Sequence, residues 1–505
     1  MAKTFFGHPI GLSTLFATEF WERFSYYGMR SFLTLFLTAT YINGGFGMSQ
    51  EESLAIYGIF TSLVYVTPII GGILADKVLG QRVTVYIGAL VMAAGQFTMA
   101  YSAMMDPEAA SATREFLLHA GLGLLIVGNG FFKPNISTMV GGLYEANDPN
   151  RDGGFTLFYM GINAGAFFAP VIAGSLAEKV AWQYGFMSAG IGMLLGTAWF
   201  FFRETTMNNV GLAPKASESA NKIERSDWMN VVAYAIGSIV LVLGFLKIWG
   251  LIPSDVQSYI VYAVAIGGVG YLLWTIVVNT KGSTEWSRVG VILLLAVFNV
   301  IFWSGFEQAG GTFNFFAKEN TDRMLFGSEI PASIFQSVNA IAIFIFAPLF
   351  TVIWGKLDKA GKNPRTPVKF AIGLLMLAVG FFVMQIGANA TKGGTVLVSP
   401  LWLVMVYLLH TWGELCLSPI GLSMITKLSP QKIVSVMMGL WMGSIAIGNY
   451  MAASMMGIFN SDVVKPLRDE YGLELFSFIG VEALVAGLLL LALSPKINKM
   501  MKGIH

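Results

Sequence analysis

The sequence predicts an all-α polytopic membrane protein, built as two six-helix bundles with a further pair of transmembrane helices between them. Three observations carry this. The chain of 505 residues is 55% hydrophobic and only 12% charged, about half the charge of a soluble domain. Its mean hydropathy is +0.66. Fourteen apolar segments, grouped six, two and six, are each long enough to cross about 30 Å of hydrocarbon.

The first set of spans covers 13–40, 53–75, 83–105, 116–142, 155–176 and 182–202. A polar stretch from Arg203 to Asp227 follows, then two further apolar segments at 228–249 and 256–278. The second set covers 289–316, 331–354, 368–388, 400–425, 433–457 and 474–494. This division assigns 1–203 to an N-terminal bundle, 204–288 to a linker carrying two additional helices, and 289–505 to a C-terminal bundle. Removing the middle pair leaves the parity unchanged, as expected of an insertion between bundles.

An even number of spans puts both termini on one side. With the N-terminus inside, the inside loops collect Lys77, Arg82, Lys356, Lys359, Lys362, Arg365, Lys427, Lys432, Lys496 and Lys499, as the positive-inside rule requires. The expectation is a multi-pass protein of the cell (inner) membrane with both termini cytoplasmic. Lys3 precedes the first stretch, but Glu19 and Glu22 interrupt it. It reads as a retained first span and not as a cleaved signal peptide.

Two loops echo each other. After the second span comes Gly71-Gly72-Ile73-Leu74-Ala75-Asp76-Lys77, running on to Gly80 and Arg82; at the corresponding place in the second set comes Gly355-Lys356-Leu357-Asp358-Lys359 with Gly361 and Lys362. Corresponding inside loops in two halves are what the parallel repeats of a major facilitator fold produce. Asp76 with Arg82 reads as a latch or loop staple and not as a substrate contact.

The first span carries the most chemistry. Glu19, Glu22, Arg23, Tyr26 and Arg30 fall on one helical stripe about 100° wide, with Phe16, Phe20, Phe24 and Leu35 around it. Charges inside a bilayer are costly and usually face a water-filled pathway or one another. The stripe therefore reads as the wall of an intramembrane polar cavity.

Other spans add to it. With the second set numbered 7 to 12 and the central pair left out of the count, span 4 contains Gly128-Asn129-Gly130-Phe131-Phe132-Lys133-Pro134-Asn135, span 7 contains Phe302-Trp303 followed by Glu307-Gln308, and span 10 contains Trp412-Gly413-Glu414 followed by Ser418-Pro419. A proline frees a backbone carbonyl one turn back, tolerated at membrane depth only where protein or a water cavity satisfies it. Asn163 and Asn339 are mid-span amides, while Tyr26, Tyr27, Tyr65, Trp303 and Trp441 are candidate cavity walls. Glu482 stands without polar neighbours in the sequence and reads as a lipid-edge residue.

Several function classes are excluded. The single Cys416 rules out an intramolecular disulfide framework and a Cys-cluster metal site. The four His lie far apart and form no His-x-x-x-His pair, so no metal site is expected. There is no Gly-x-Ser-x-Gly, no His-Glu-x-x-His and no Walker motif. A net charge of +2 gives no reason to expect nucleic acid. No enzymatic activity and no cofactor are expected.

Taken together, these residues name a family. Glu19-x-x-Glu22-Arg23-Phe24-x-Tyr26-Tyr27 resembles the first-helix signature of the proton-coupled oligopeptide transporters, of the bacterial di-/tripeptide permease type. Gly130-Phe131-Phe132-Lys133-Pro134-Asn135 and Phe158-Tyr159-x-x-Ile162-Asn163-x-Gly165 match it too. So do Phe302-Trp303 with Glu307-Gln308, and Gly413-Glu414 with Ser418-Pro419 and Trp441. The resemblance covers both halves, and the extra helix pair is typical of bacterial members. It implies a symporter, driven by the proton gradient and needing no cofactor, that imports di- and tripeptides by alternating access. By the same resemblance Arg23, Arg30 and Lys133 receive the peptide carboxylate, and Asn163, Asn339 and Glu414 hold the amine. Tyr26, Tyr27, Tyr65, Trp303 and Trp441 shape the side-chain pockets. Glu19, Glu22 and Glu307 serve proton coupling, and Lys133 with Glu414 forms a gate. Animal members carry a functional His in the second helix; span 2 here has none, which favours a carboxylate as the proton site.

The residues support this reading on their own terms. A short peptide is a zwitterion, and this chain supplies a basic and an acidic pole from opposite halves. Coupling follows when a Glu must be protonated to release an Arg or Lys, because linked charges shift each other's titration. The competing expectation is a major facilitator transporter of another small solute, such as nitrate, an amino acid or a drug-like compound; Glu414 argues against a simple anion. Peptide, protons and the lipid bilayer are the expected partners.

Overall fold

The structure, a computed structural model, describes residues 4–108, 110–145, 148–213 and 221–503. The middle of the polar stretch after the sixth span, 214–220, lies outside the described residues. Helices dominate: α1 (Gly11–Thr38), α2 (Gln50–Val66), α3 (Pro68–Leu74), α4 (Gln81–Met104), α5 (Ser111–Gly142), α6 (Arg151–Ala169), α7 (Ser175–Lys179) and α8 (Trp182–Arg203) come first. α9 (Arg225–Trp249) and α10 (Ser254–Asn279) are the extra pair. Then come α11 (Gly282–Phe306), α12 (Thr312–Glu319), α13 (Ser337–Lys359), α14 (Thr366–Ala390), α15 (Leu401–Leu428), α16 (Val434–Asn460), α17 (Lys465–Tyr471) and α18 (Leu475–Met500).

Among the described residues, twelve helical stretches are long and apolar enough to cross a membrane. α1, with 28 residues, and α10, with 26, have the length as well, so each of the fourteen expected spans is helical. Several are not single helices. Span 2 breaks at Thr67, where Pro68 starts α3, and ends in a π-helical turn over Ala75–Leu79. Span 5 passes from α6 through a π-helical turn at Pro170–Gly174 into α7. Span 7 breaks after α11: Glu307–Gly310 form a 3-10 turn, and Gly311 (φ −115°, ψ −103°) precedes α12. The residue that carries the carboxylate thus sits at the break, where helical hydrogen bonding is interrupted.

Two short hairpins are departures from the all-α expectation. Thr4–Phe5 pairs with His8–Pro9, and Met324–Leu325 lies beside Ser328–Glu329. Each turns on Phe-Gly with positive φ at both residues (49° and 83°; 49° and 78°), the requirement of a tight two-residue hairpin turn. Phe is unusual at such a position, so neither turn is marked by its residue types.

The chain divides into two compact units. Unit 1 comprises residues 1–53, 63–248 and 327–341; unit 2 comprises 54–62, 249–326 and 342–505. The extra pair is split, α9 belonging to unit 1 and α10 to unit 2.

In unit 1, α1 packs on α6 and α8, and α4 packs on α5 and α8. Small residues make this possible. A Cβ on Gly88 would stand 2.8 Å from the Phe132 amide nitrogen, and one on Gly95 would stand 2.8 Å from the Gly121 carbonyl, so α4 and α5 touch backbone to backbone. Buried arginines staple the ends of this unit. Arg82 donates to the carbonyls of Val210 (2.7 Å), Asn221 (2.7 Å) and Asn208 (2.6 Å). The staple expected at Arg82 therefore exists, but it grips the linker; Asp76 instead accepts a long 3.5 Å contact from Gln81. Arg114 does the same at the other end, donating to Ser102, Gly45 and Gly44.

In unit 2, α14 packs on α15 and α18, and α11 on α16. α14 and α15 meet at Gly373 and Gly413, where a Cβ on Gly413 would lie 2.7 Å from the Gly373 carbonyl. Gly413 precedes Glu414, so this contact sets the height of that carboxylate. His410, one turn earlier, is buried between Phe313 and Phe381.

Candidate functional site

Unit 1 contains a buried charge cluster on α1. Arg23 Nε lies 2.9 Å from Glu19 Oε1, and Arg23 is also paired with its neighbour Glu22. All three side chains are at most 5% exposed. One guanidinium between two carboxylates leaves a formal charge of −1, which burial makes expensive unless a cation or a proton meets it. α5 contributes the next layer: Asn129 Nδ2 donates to Glu22 Oε1 at 2.9 Å. Lys133, one turn further along α5, holds its ammonium 4.2 Å from the Tyr65 ring centre.

Local sequence explains the placement. Pro134 has no amide hydrogen for the Gly130 carbonyl, one turn back in α5. Gly71 of α3 packs directly on that carbonyl, where any side chain would overlap it. Asn135 reinforces the turn through the Phe131 carbonyl at 2.7 Å. On the other side Gly165 of α6 lies against the Phe20 carbonyl, and a Cβ there would come 2.9 Å from Arg23 Cβ. The glycine of the Asn163-x-Gly165 pattern thus lets α6 seat Arg23. Asn163 itself donates back to the Tyr159 carbonyl at 2.9 Å.

Arginine–aromatic contacts line the rest of the stripe. Arg23 lies 5.8 Å from the Tyr26 ring centre and Arg30 5.6 Å from that of Tyr27, cation–aromatic contacts that help to hold both guanidinium groups. Arg30 and Tyr26 are buried. Asn339 belongs to the short piece of span 8 that lies in unit 1. That piece is fixed by Ser337 donating to the Phe167 carbonyl (2.8 Å) and Gln336 to that of Ser31 (3.0 Å).

Unit 2 holds the other candidates. Trp303 donates to Asn299 Oδ1 at 3.1 Å, and Asn299 donates to Ser444 Oγ at 2.8 Å, locking the indole between α11 and α16. Gly448 permits this, since a Cβ there would lie 2.7 Å from Trp303 Cβ. Glu307 is buried at the break of span 7. Its neighbour Gln308 donates to the Ala452 carbonyl (2.8 Å) and accepts from Thr312 (2.9 Å). Glu414 is half-buried on α15. Trp441 is buried, its ring over Gly421 and 5.9 Å from Phe370.

The structure therefore brings together Glu19, Glu22, Arg23, Tyr26 and, through Asn129, the helix carrying Lys133. Trp303, Glu307, Glu414 and Trp441 belong to unit 2. Sequence reasoning missed Asn129 as a site residue although it lies inside the Lys133-Pro134 stretch. It also missed Asn299 and Ser444, two isolated polar residues three or four positions from a named tryptophan. Among the described residues no group of His, Cys, Asp and Glu could hold a metal.

The sequence profile of the POT family (PTR2) matches residues 82–470. The chain belongs to the POT family. Its relatives agree over full length. The chain is 39% identical to the peptide transporter YePEPT of Yersinia enterocolitica, covering 99% of this chain and 97% of that one. It is 32% identical to dipeptide and tripeptide permease A of Escherichia coli, covering 98% and 94%. A crystal structure of the peptide transporter POT in complex with sulfate superposes with a TM-score of 0.81 at 36% identity, covering 99% of this chain and 98% of that one. A POT family transporter in complex with 5-aminolevulinic acid superposes at 0.80 with 31% identity, covering 98% of each. The major facilitator fold and the multi-pass membrane character expected from the sequence are those of this POT family. It is a family of transporters, not of enzymes.

Proposed function

We propose that this POT family member is a symporter that imports di- and tripeptides together with protons, by alternating access, across a cell (inner) membrane with both termini cytoplasmic. The observation that supports it best is the Glu19–Arg23–Glu22 cluster, two buried carboxylates on one guanidinium. Such a cluster is neutral only when a proton or a second cation joins it, so protonation and the freedom of Arg23 are linked. When a proton takes the place of Arg23, the guanidinium becomes available to a peptide carboxylate.

In this reading Arg23, Arg30 and Lys133 bind the carboxylate, and Glu414 with Asn163 and Asn339 binds the amine. Tyr26, Tyr27, Tyr65, Trp303 and Trp441 surround the peptide side chains. Glu19, Glu22 and Glu307 carry the proton, and Lys133 and Glu414 alternate as a gate between the two six-helix sets. Peptide-transporter relatives at 39% and 32% identity support the substrate class. Uptake of a labelled dipeptide into proteoliposomes tests the reading. Accumulation above the external concentration with an inward proton gradient, lost when the gradient is collapsed, is the expected result. Accumulation indifferent to the gradient would remove proton coupling.

A further inference from the structure

α9 packs on unit 1 along one face, where Val231, Ala235 and Val242 are buried, and leaves an opening on its flank. At its base Trp228 packs on Tyr86 (ring centres 4.7 Å apart) and on Phe201 (5.5 Å). Four turns on, Val242 reaches Gly123 of α5, where an added Cβ would lie 2.8 Å from its methyl group. Beside this packed face lies a groove of about 660 Å³, lined by α9, α3 and α5.

The walls of this groove are unlike each other. The bundle side is a closed surface: Gly71 and Gly130 touch, and a Cβ on Gly130 would come 2.7 Å from Thr67 Cβ. The Thr67 hydroxyl is already spent on the carbonyls of Ile126 (3.0 Å) and Leu63 (3.2 Å). The α9 side is open, since a Cβ on Gly237 would meet nothing within 4 Å. Among the described residues no charged side chain lines the groove, and Ile70 and Leu241 stand widely exposed beside it. It begins eight residues along α9 from Arg225 and ends sixteen along, at about 12 to 24 Å of helix rise. That is hydrocarbon depth, so the medium around the groove is lipid tail and not water.

We propose that this groove is a binding site for one phospholipid acyl chain, entering sideways from the surrounding leaflet and lying between α9 and the α3–α5 pair. A void of this size with apolar walls forfeits dispersion contacts along both faces unless an apolar chain fills it. The lack of a charged residue excludes a headgroup or a zwitterionic peptide as the occupant. The site backs directly on the segment that carries Tyr65 and Lys133, so its occupant braces those helices from behind.

The test uses full-length protein reconstituted in phosphatidylcholine vesicles whose acyl chains carry a mid-chain diazirine. After irradiation, labelled residues are mapped by mass spectrometry. Label is expected on Val127 and Phe131, the half-buried part of the wall that faces α9. Gly237→Phe, which puts a ring into the groove, is expected to lower that label at least fivefold. Gly244→Phe, on the same helix beyond the groove and equally free of neighbours, should leave it unchanged. Gly237→Leu stands in if the larger variant elutes as aggregate. Label on the inner wall that survives both Gly237 substitutions would overturn the proposal. So would its absence from Val127 and Phe131, or a cross-link there to a second protein helix.

Discussion

Asn129 on α5 and Glu22 on α1 are joined by a buried hydrogen bond, Nδ2 to Oε1 at 2.9 Å. It ties the helix of the basic Lys133 to the helix of the acidic pair. A hydrogen bond to a charged group contributes about 1.5–3 kcal/mol, a factor of about 10 to 100 in an equilibrium or rate. Asn129→Leu is therefore expected to lower gradient-driven peptide uptake by about tenfold or more. Asn129→Asp, which adds a third carboxylate to a cluster already one charge negative, should be worse. Initial rates in proteoliposomes measure both, and wild-type rates in either would show the bond to be incidental.

Gly165 makes a second, purely steric prediction. A side chain there must displace the Phe20 carbonyl or Arg23. Overpacking of this kind costs about 1–3 kcal/mol. Gly165→Val should lower the melting temperature of the detergent-solubilised protein and reduce uptake with it. Gly267→Val on α10, where an added Cβ meets nothing within 4 Å, should change neither.

Much of this was legible in the sequence, and for identifiable reasons. Span existence follows from apolar length, and the Glu19-to-Arg30 stripe from helical periodicity alone. The breaks within spans 2 and 7 have marks, Pro68 after Thr67 and Gly310-Gly311 after Glu307-Gln308, but a reading by apolar length alone does not register them. The role of Gly165 was hidden for a related reason: a glycine in a membrane helix carries no mark of which backbone it must approach. Asn129 lies inside the Gly128-to-Asn135 stretch, but an amide has no charge to mark it as a site residue. Arg82 reads in the sequence as one of the inside charges, yet its Nε, Nη1 and Nη2 are all committed to carbonyls; that is a three-dimensional fact with no sequence period.

That commitment yields a third prediction. A guanidinium serves three carbonyls in a fixed fork, which an ammonium cannot reproduce. Arg82→Lys should free the start of the linker at Asn208–Asn221 from α4. Limited proteolysis should then cut this stretch faster than in the parent protein, with cleavage elsewhere unchanged. Equal rates would mean that the linker is held by other contacts.

The poles of the substrate site give a fourth. If Lys133 receives the carboxylate, Lys133→Ala should impair competition by a normal dipeptide more than by its C-terminal amide. If Glu414 receives the amine, Glu414→Ala should level the difference between free and acetylated peptides. Competition against labelled dipeptide uptake reads both. Equal losses for every peptide form in both variants would remove the assignment of poles.

The most direct measurement concerns Glu22. Glu22→Gln keeps the shape of the cluster and the Asn129 contact surface but removes the titratable group, leaving Glu19 and Arg23 as a neutral pair. Uphill uptake driven by an inward proton gradient and peptide-for-peptide counterflow are measured on the same proteoliposomes. The account predicts that gradient-driven accumulation disappears while counterflow persists, because exchange moves no net proton. Accumulation by Glu22→Gln equal to that of the parent protein would contradict it.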